Sequence, residues 1–149
     1  MRWRSGVRPC CSGFNFRISG SAMLVLAFLL LSGDARWTAA ALMAAAAHEL
    51  GHLAALRLLG VRIYGMEVEA WGAVIRTEPL SPREELVCAA AGPCAGLLLC
   101  LLWSWLPRVA LCALLQTGFN LIPVYPLDGG RVLLALRNIC CKDGHLGVQ

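Results

Sequence analysis

The chain has 149 residues, enough for one domain at most. Hydrophobic residues make up 58% and charged ones 15%, against roughly 45–50% and 25% in soluble domains, and mean hydropathy is +0.66, so the composition is that of a membrane protein. The net charge of +4 does not come from a clustered basic face; the arginines stand at the ends of apolar runs, which argues against a nucleic-acid partner.

Residues 1–17 carry Arg2, Arg4, Arg8 and Arg17 and read as a basic cytoplasmic tail. Residues 18–33 are uncharged and read as a first transmembrane segment; the small residues Gly33 and Ala35 give a cleaved signal peptide as the alternative. Residues 37–59 form a second segment, long enough to cross the roughly 30 Å hydrocarbon layer, with His48, Glu49 and His52 inside it. In the loop at 61–77, Met66, Val68 and Ala70 alternate with Glu67 and Glu69, a period that favours strand. Gly72 then breaks the run before Ala73-Val74-Ile75, giving two short strands or a strand and a bulge. Ser81-Pro82-Arg83-Glu84 has the pattern of a helix start, with Ser81 as cap and Glu84 three residues on.

Residues 86–106 are a third uncharged segment, and 109–127 a fourth, broken by Pro123 and Pro126. Residues 128–149 complete the chain as a C-terminal tail. The expected fold class is therefore an all-α polytopic membrane protein with about four transmembrane segments and a small β-hairpin in a cytoplasmic loop. With both termini in the cytoplasm, eleven of the lysines and arginines fall on the inner side, and only Arg36 and Arg108 on the outer, a strong positive-inside bias. Of the eight cysteines, Cys88, Cys94, Cys100 and Cys112 lie in apolar runs, where cysteine behaves as a small hydrophobe. The pairs Cys10-Cys11 and Cys140-Cys141 lack the usual zinc-site spacing and read as reduced thiols.

Ionisable side chains within a membrane segment are expensive and mark functional sites. His48 and His52 are four residues apart, so a helix presents both imidazoles on one face to one zinc ion. Glu49 stands beside them, where a carboxylate can take a proton from a water activated by the metal. A catalytic zinc site wants three protein ligands and an open position. The third could come from His145, a cysteine or a carboxylate. Asp128 is preferred because it alone among the carboxylates follows a proline-broken apolar run, and Gly129 and Gly130 permit a sharp backbone path there. Glu67, Glu69, Glu78, Glu84 and Glu85 read as solvated loop residues.

The motif His48-Glu49-Leu50-Gly51-His52, followed by the stretch from Phe119-Asn120 through Pro123 and Pro126 to Leu127-Asp128-Gly129-Gly130-Arg131, resembles the site-2 protease family of intramembrane zinc metalloproteases. The resemblance spans about residues 18–137 and is nearest to the compact branch of the stage IV sporulation protein FB. It implies one zinc per chain on His48, His52 and Asp128, with Glu49 as general base and Asn120 holding substrate or stabilising the oxyanion. It implies a multi-pass protein of a bacterial cytoplasmic membrane that cleaves membrane-embedded protein substrates in or near their transmembrane segments. Such substrates include membrane-tethered sigma or anti-sigma factors, and an inhibitory membrane partner fits the same picture. Where the family often has Gly-Pro-x-x-Asn, this chain has Gly92-Pro93-Cys94-Ala95-Gly96, so the amide is missing and the small residues suit close helix packing. The short C-terminus fits a minimal core or a truncated copy. The rival from another class is a non-catalytic membrane protein with structural or regulatory zinc, which would need a fourth protein ligand.

Overall fold

The computed structural model describes residues 15–32, 34–69 and 72–144. Arg2, Arg4, Arg8, the Cys10-Cys11 pair, Ala70 and His145 lie outside the described residues. In chain order the elements are β1 (Asn15–Ile18), α1 (Gly20–Ser32), α2 (Ala35–Leu58), β2 (Ile63–Glu69), β3 (Gly72–Thr77), α3 (Pro82–Cys100), α4 (Pro107–Asn120) and α5 (Asp128–Gly144). The architecture is thus mostly helical with one small sheet.

Helix α3 is the centre of the bundle and packs against α2, α4 and α5, while α2 also packs on α4. Its start follows the sequence pattern: the Ser81 hydroxyl accepts from the Glu84 N–H, and the Glu84 carboxylate accepts from the Ser81 N–H at 2.7 Å. That backbone N–H, joined by the Ser81 side chain, holds the Glu84 carboxyl below the usual carboxylate range. At the other end, α3 stops at Cys100 rather than 106. A turn over 101–105 follows, and Pro107 opens α4, where its missing N–H has no helical partner to lose. The Arg108 guanidinium lies 5.7 Å from the centre of the Trp37 ring, which sets the starts of α2 and α4 at the same end of the bundle.

The interior is made of small residues. Ala40, Ala44, Ala55, Ala89, Ala110, Ala113 and Ala135 are buried, and among the described residues Leu56 and Thr117 are the largest side chains almost wholly enclosed. The glycines explain how the helices come so close. A Cβ on Gly51 would stand 2.6 Å from the Ala91 carbonyl oxygen across the α2–α3 contact, and one on Gly96 would run into the Thr117 hydroxyl of α4. The large apolar side chains instead face outward: Leu31 and Leu58 are each 88% exposed, and Trp105 is 84% exposed. Among the described residues, α2 alone is both long and apolar enough to cross a membrane; α1 is apolar but shorter.

The two strands expected between 61 and 77 form as β2 and β3, an antiparallel pair with Met66 opposite Ile75 and Glu69 opposite Gly72. Gly72 has φ +141°, a backbone conformation that side chains disfavour, at the start of β3. The sheet, however, has a third strand. Asn15–Ile18, at the junction read as basic tail and first segment, pairs parallel with β2, Asn15 opposite Gly65. The Ser19 N–H continues the ladder to the Val68 carbonyl at 2.9 Å. A four-residue strand with one charge has no periodicity of its own to announce it. Its room is made by Gly65, where a Cβ would lie 2.7 Å from the Asn15 carbonyl oxygen.

The second difference is at the C-terminus. Residues 128–144, read as a tail, form the helix α5. The break expected at the prolines is present, but it is a compact set of turns over 121–127 between two helices. The Val124 N–H donates to the Ile122 carbonyl at 2.8 Å, and the Leu127 N–H to the Val124 carbonyl at 2.9 Å.

Candidate metal centre

His48 and His52 stand one turn apart on the face of α2 turned to α3 and α5, and both are buried. Their rings meet edge to face, with centroids 4.9 Å apart and planes at 79°. Asp128 is the first residue of α5 and is buried as well. Its Oδ2 lies 3.0 Å from His48 Nε2 and 3.2 Å from His52 Nε2, and the two nitrogens are 3.3 Å apart. The structure therefore brings together three groups that are 80 residues apart in the chain at the extreme.

The donor chemistry fits a cation. His52 Nδ1 donates to the Cys88 carbonyl oxygen of α3 at 2.8 Å, so a neutral His52 offers a bare lone pair at Nε2. That lone pair, the His48 Nε2 and a carboxylate oxygen all converge on one point. The edges of the triangle, 3.0–3.3 Å, match the roughly 3.3 Å between ligands that sit at about 2.0–2.1 Å from zinc in a tetrahedron. Space for the imidazoles exists because residue 92 is a glycine: a Cβ there would run into His52 Nε2 and stand 2.8 Å from His48 Nε2. The small residue expected to serve helix packing at this position thus serves the two histidines directly. Among the described residues, His48, His52 and Asp128 are the cluster of potential metal donors close enough to share an ion. With two imidazoles and one carboxylate, the set suits zinc and leaves one position for a reactant.

Glu49 is half-buried and lies beside this cluster at the wall of a cavity of about 610 Å³. Its Oε1 accepts from the Ala73 N–H of β3 at 3.2 Å. Asn120, the last residue of α4, lines the same cavity, as do Tyr125 and Pro126 of the turn after it. All five residues singled out in the sequence therefore border one space. The sequence reading missed two others. Arg131 and Glu85 also line the cavity and form an ion pair of 2.8 Å between α5 and α3. Glu85 is not the solvated loop residue expected. No local pattern marks it, because its partner lies on another helix 46 residues away. Glu67, Glu78 and Glu84 are engaged too: with Arg76 at 3.0 Å, the Arg62 N–H at 3.1 Å and the α3 cap.

No family model matches the chain. A curated zinc metalloprotease of Methanocaldococcus jannaschii is 32% identical over 66% of this chain. The aligned part is 33% of that protein, so the chain spans about a third of the length of the relative it matches. Among solved structures, the site-2 protease from Methanocaldococcus jannaschii superposes with a TM-score of 0.65 at 25% identity, covering 80% of this chain and 65% of that one. The chain is thus similar in sequence to a zinc metalloprotease and in fold to a site-2 protease, and its buried donor cluster suits zinc.

Proposed function

We propose that the chain is an intramembrane zinc endopeptidase, with one zinc held by His48, His52 and Asp128. The observation that carries this reading is the convergence of His48 Nε2, His52 Nε2 and Asp128 Oδ2 within hydrogen-bonding distance of one another, with a glutamate next to them at a cavity wall. Three protein donors are the pattern of a catalytic site, where structural zinc takes four. Zinc, when bound, supplies a Lewis acid that polarises the scissile carbonyl and activates water.

The chain's own residues do the rest. Glu49 takes the proton of the attacking water and returns it to the leaving amine. The Ala73 N–H bond to Oε1 orients the carboxylate and leaves its other oxygen to accept the proton. Asn120 faces the same cavity and holds the substrate backbone or the developing oxyanion. A substrate helix must unwind before its carbonyls are accessible, since they are bonded within the helix. The edge strand β3, whose residues line the cavity, receives the unwound stretch by strand addition. A Val74→Pro variant that cleaves normally would remove this last element.

The small-residue interior and large apolar exterior support a bilayer as the surrounding solvent, since lipid gives large side chains no reason to turn inward. On this reading the chain is multi-pass with cytoplasmic termini, and the cavity opens towards the cytoplasmic hairpin. The substrates are membrane-tethered proteins, with sigma or anti-sigma factors the favoured class, in line with the sporulation-type branch of the family. Replacement of Glu49 by Gln keeps the metal donors and removes the base. It should retain zinc and lose cleavage of a co-expressed membrane substrate by at least about 100-fold. Normal cleavage by that variant would refute the assignment.

A further inference from the structure

We propose that one turn of α3, Glu85 to Cys88, is the outer support of the metal centre, and that Arg131 is a positioning residue through which Glu85 fixes Asp128. The proposal rests on the reading of His48, His52 and Asp128 as metal donors. Cys88 and Glu85 are three residues apart and so lie on one face of α3. The Cys88 carbonyl holds His52 Nδ1 at 2.8 Å. Glu85 Oε1 accepts from Arg131 Nε at 2.8 Å, and Arg131 Nη1 lies 3.5 Å from Asp128 Oδ1. Arg131 is three residues after Asp128 on α5, so the guanidinium and the carboxylate share a helix face.

The geometry gives each oxygen of Asp128 a separate duty. Oδ2 is turned to the two imidazoles, and Oδ1 is turned to the guanidinium. A guanidinium is a planar fork that can serve two carboxylates from fixed directions, which an ammonium cannot. With Nε tied to Glu85, the fork cannot swing, and Nη1 stays beside Oδ1. Asp128 is thereby kept from rotating, from placing both oxygens on the cation, and from drifting away with the end of α5. The same turn of α3 thus holds one histidine directly and the carboxylate at one remove. His48 has no such support: its Nδ1 is buried without a hydrogen-bond partner among the described residues.

The test is metal affinity of the full chain in detergent, by competition with a chromophoric chelator, alongside the visible spectrum of the cobalt-loaded protein. Outer partners of metal ligands are worth roughly 10–100-fold in affinity, so Arg131→Gln should weaken zinc binding by about that factor. It should also change the cobalt band shape, because a freed carboxylate alters the coordination. Glu85→Gln should weaken zinc in the same direction, and the double variant should be no weaker than Arg131→Gln alone. Arg131→Lys, which keeps a cation for folding, should fall between parent and Arg131→Gln in affinity. Zinc affinity and cobalt spectrum unchanged in Arg131→Gln or Arg131→Lys, while His48→Ala loses zinc, would overturn the support and leave the metal centre standing. Additive losses in the double variant would show that the two residues act separately and would also overturn it. Zinc binding unchanged in His48→Ala would instead bring down the metal reading itself, and the support with it.

Discussion

Helix α2 and the turn over 121–127 deliver donors to one point by different means. On α2 the spacing of His48 and His52 follows from the helix itself: four residues bring two imidazoles onto one face whatever surrounds them. The turn guarantees nothing of that kind. Asp128 arrives because seven residues fold back between α4 and α5, and because Gly129 and Gly130 let α5 start directly beneath them. A Cβ on Gly129 would stand 2.7 Å from the Ile122 carbonyl oxygen, and one on Gly130 2.5 Å from the Tyr125 nitrogen. The spacing in one half of the site is therefore set by a single helix, and that in the other by the turn between two.

That contrast orders the expected effects. His48→Ala removes a donor and Asp128→Asn trades an anionic oxygen for a neutral amide, and each should lower zinc affinity by more than the roughly 10–100-fold typical of an outer-shell loss; equal zinc content in parent and variant would remove that residue from the ligand set. Gly129→Ala touches no donor but pushes α5 off the turn, and should weaken zinc by about 10–100-fold. Gly92→Ala attacks the α2 side, where the added methyl meets both imidazoles. Because α2 is a continuous helix, it should cost similar affinity while far-ultraviolet circular dichroism stays unchanged. Gly96→Ala lies away from the donors, against Thr117. It should lower stability by about 1–3 kcal/mol, the usual cost of overpacking, with zinc affinity intact in a chelator titration.

The smallest effect belongs to the α3 cap. Ser81→Ala should cost about 1 kcal/mol in thermal or denaturant unfolding. The Glu84 side of that cap is also pH-dependent. Its carboxyl is depressed in the folded chain, so its contribution is present above the ordinary glutamate range and is lost as pH falls through the depressed value. The stability advantage of the parent over Glu84→Ala should therefore shrink towards acid pH.

The parts visible in the sequence are those with a local cause. His48, Glu49 and His52 announce themselves by charge in an apolar helix, Ser81 and Glu84 by the cap pattern, and β2 and β3 by alternation. Asp128 was accessible only through the prolines before it and the glycines after it. What stayed hidden depends on contacts between distant elements. β1 is too short to carry a pattern and exists because Gly65 admits it. α5 looked like a tail because its sequence is polar enough to be one. Glu85 looked solvated because its partner, Arg131, is 46 residues away.

The small-residue interior implies an inverted map of mutational tolerance. In a water-soluble domain a saturation scan finds its least replaceable positions at the bulkiest apolar residues. Here, Gly51, Gly65, Gly92, Gly96, Gly129 and Gly130 are the described positions where one added methyl collides, and Leu31, Leu58 and Trp105 touch little of the protein. Variation that would be called conservative elsewhere, glycine to alanine, falls on the structural framework. Variation that would be called drastic, tryptophan to leucine, falls on its outer coat. Sequence drift should accumulate in the large side chains and stall at the smallest.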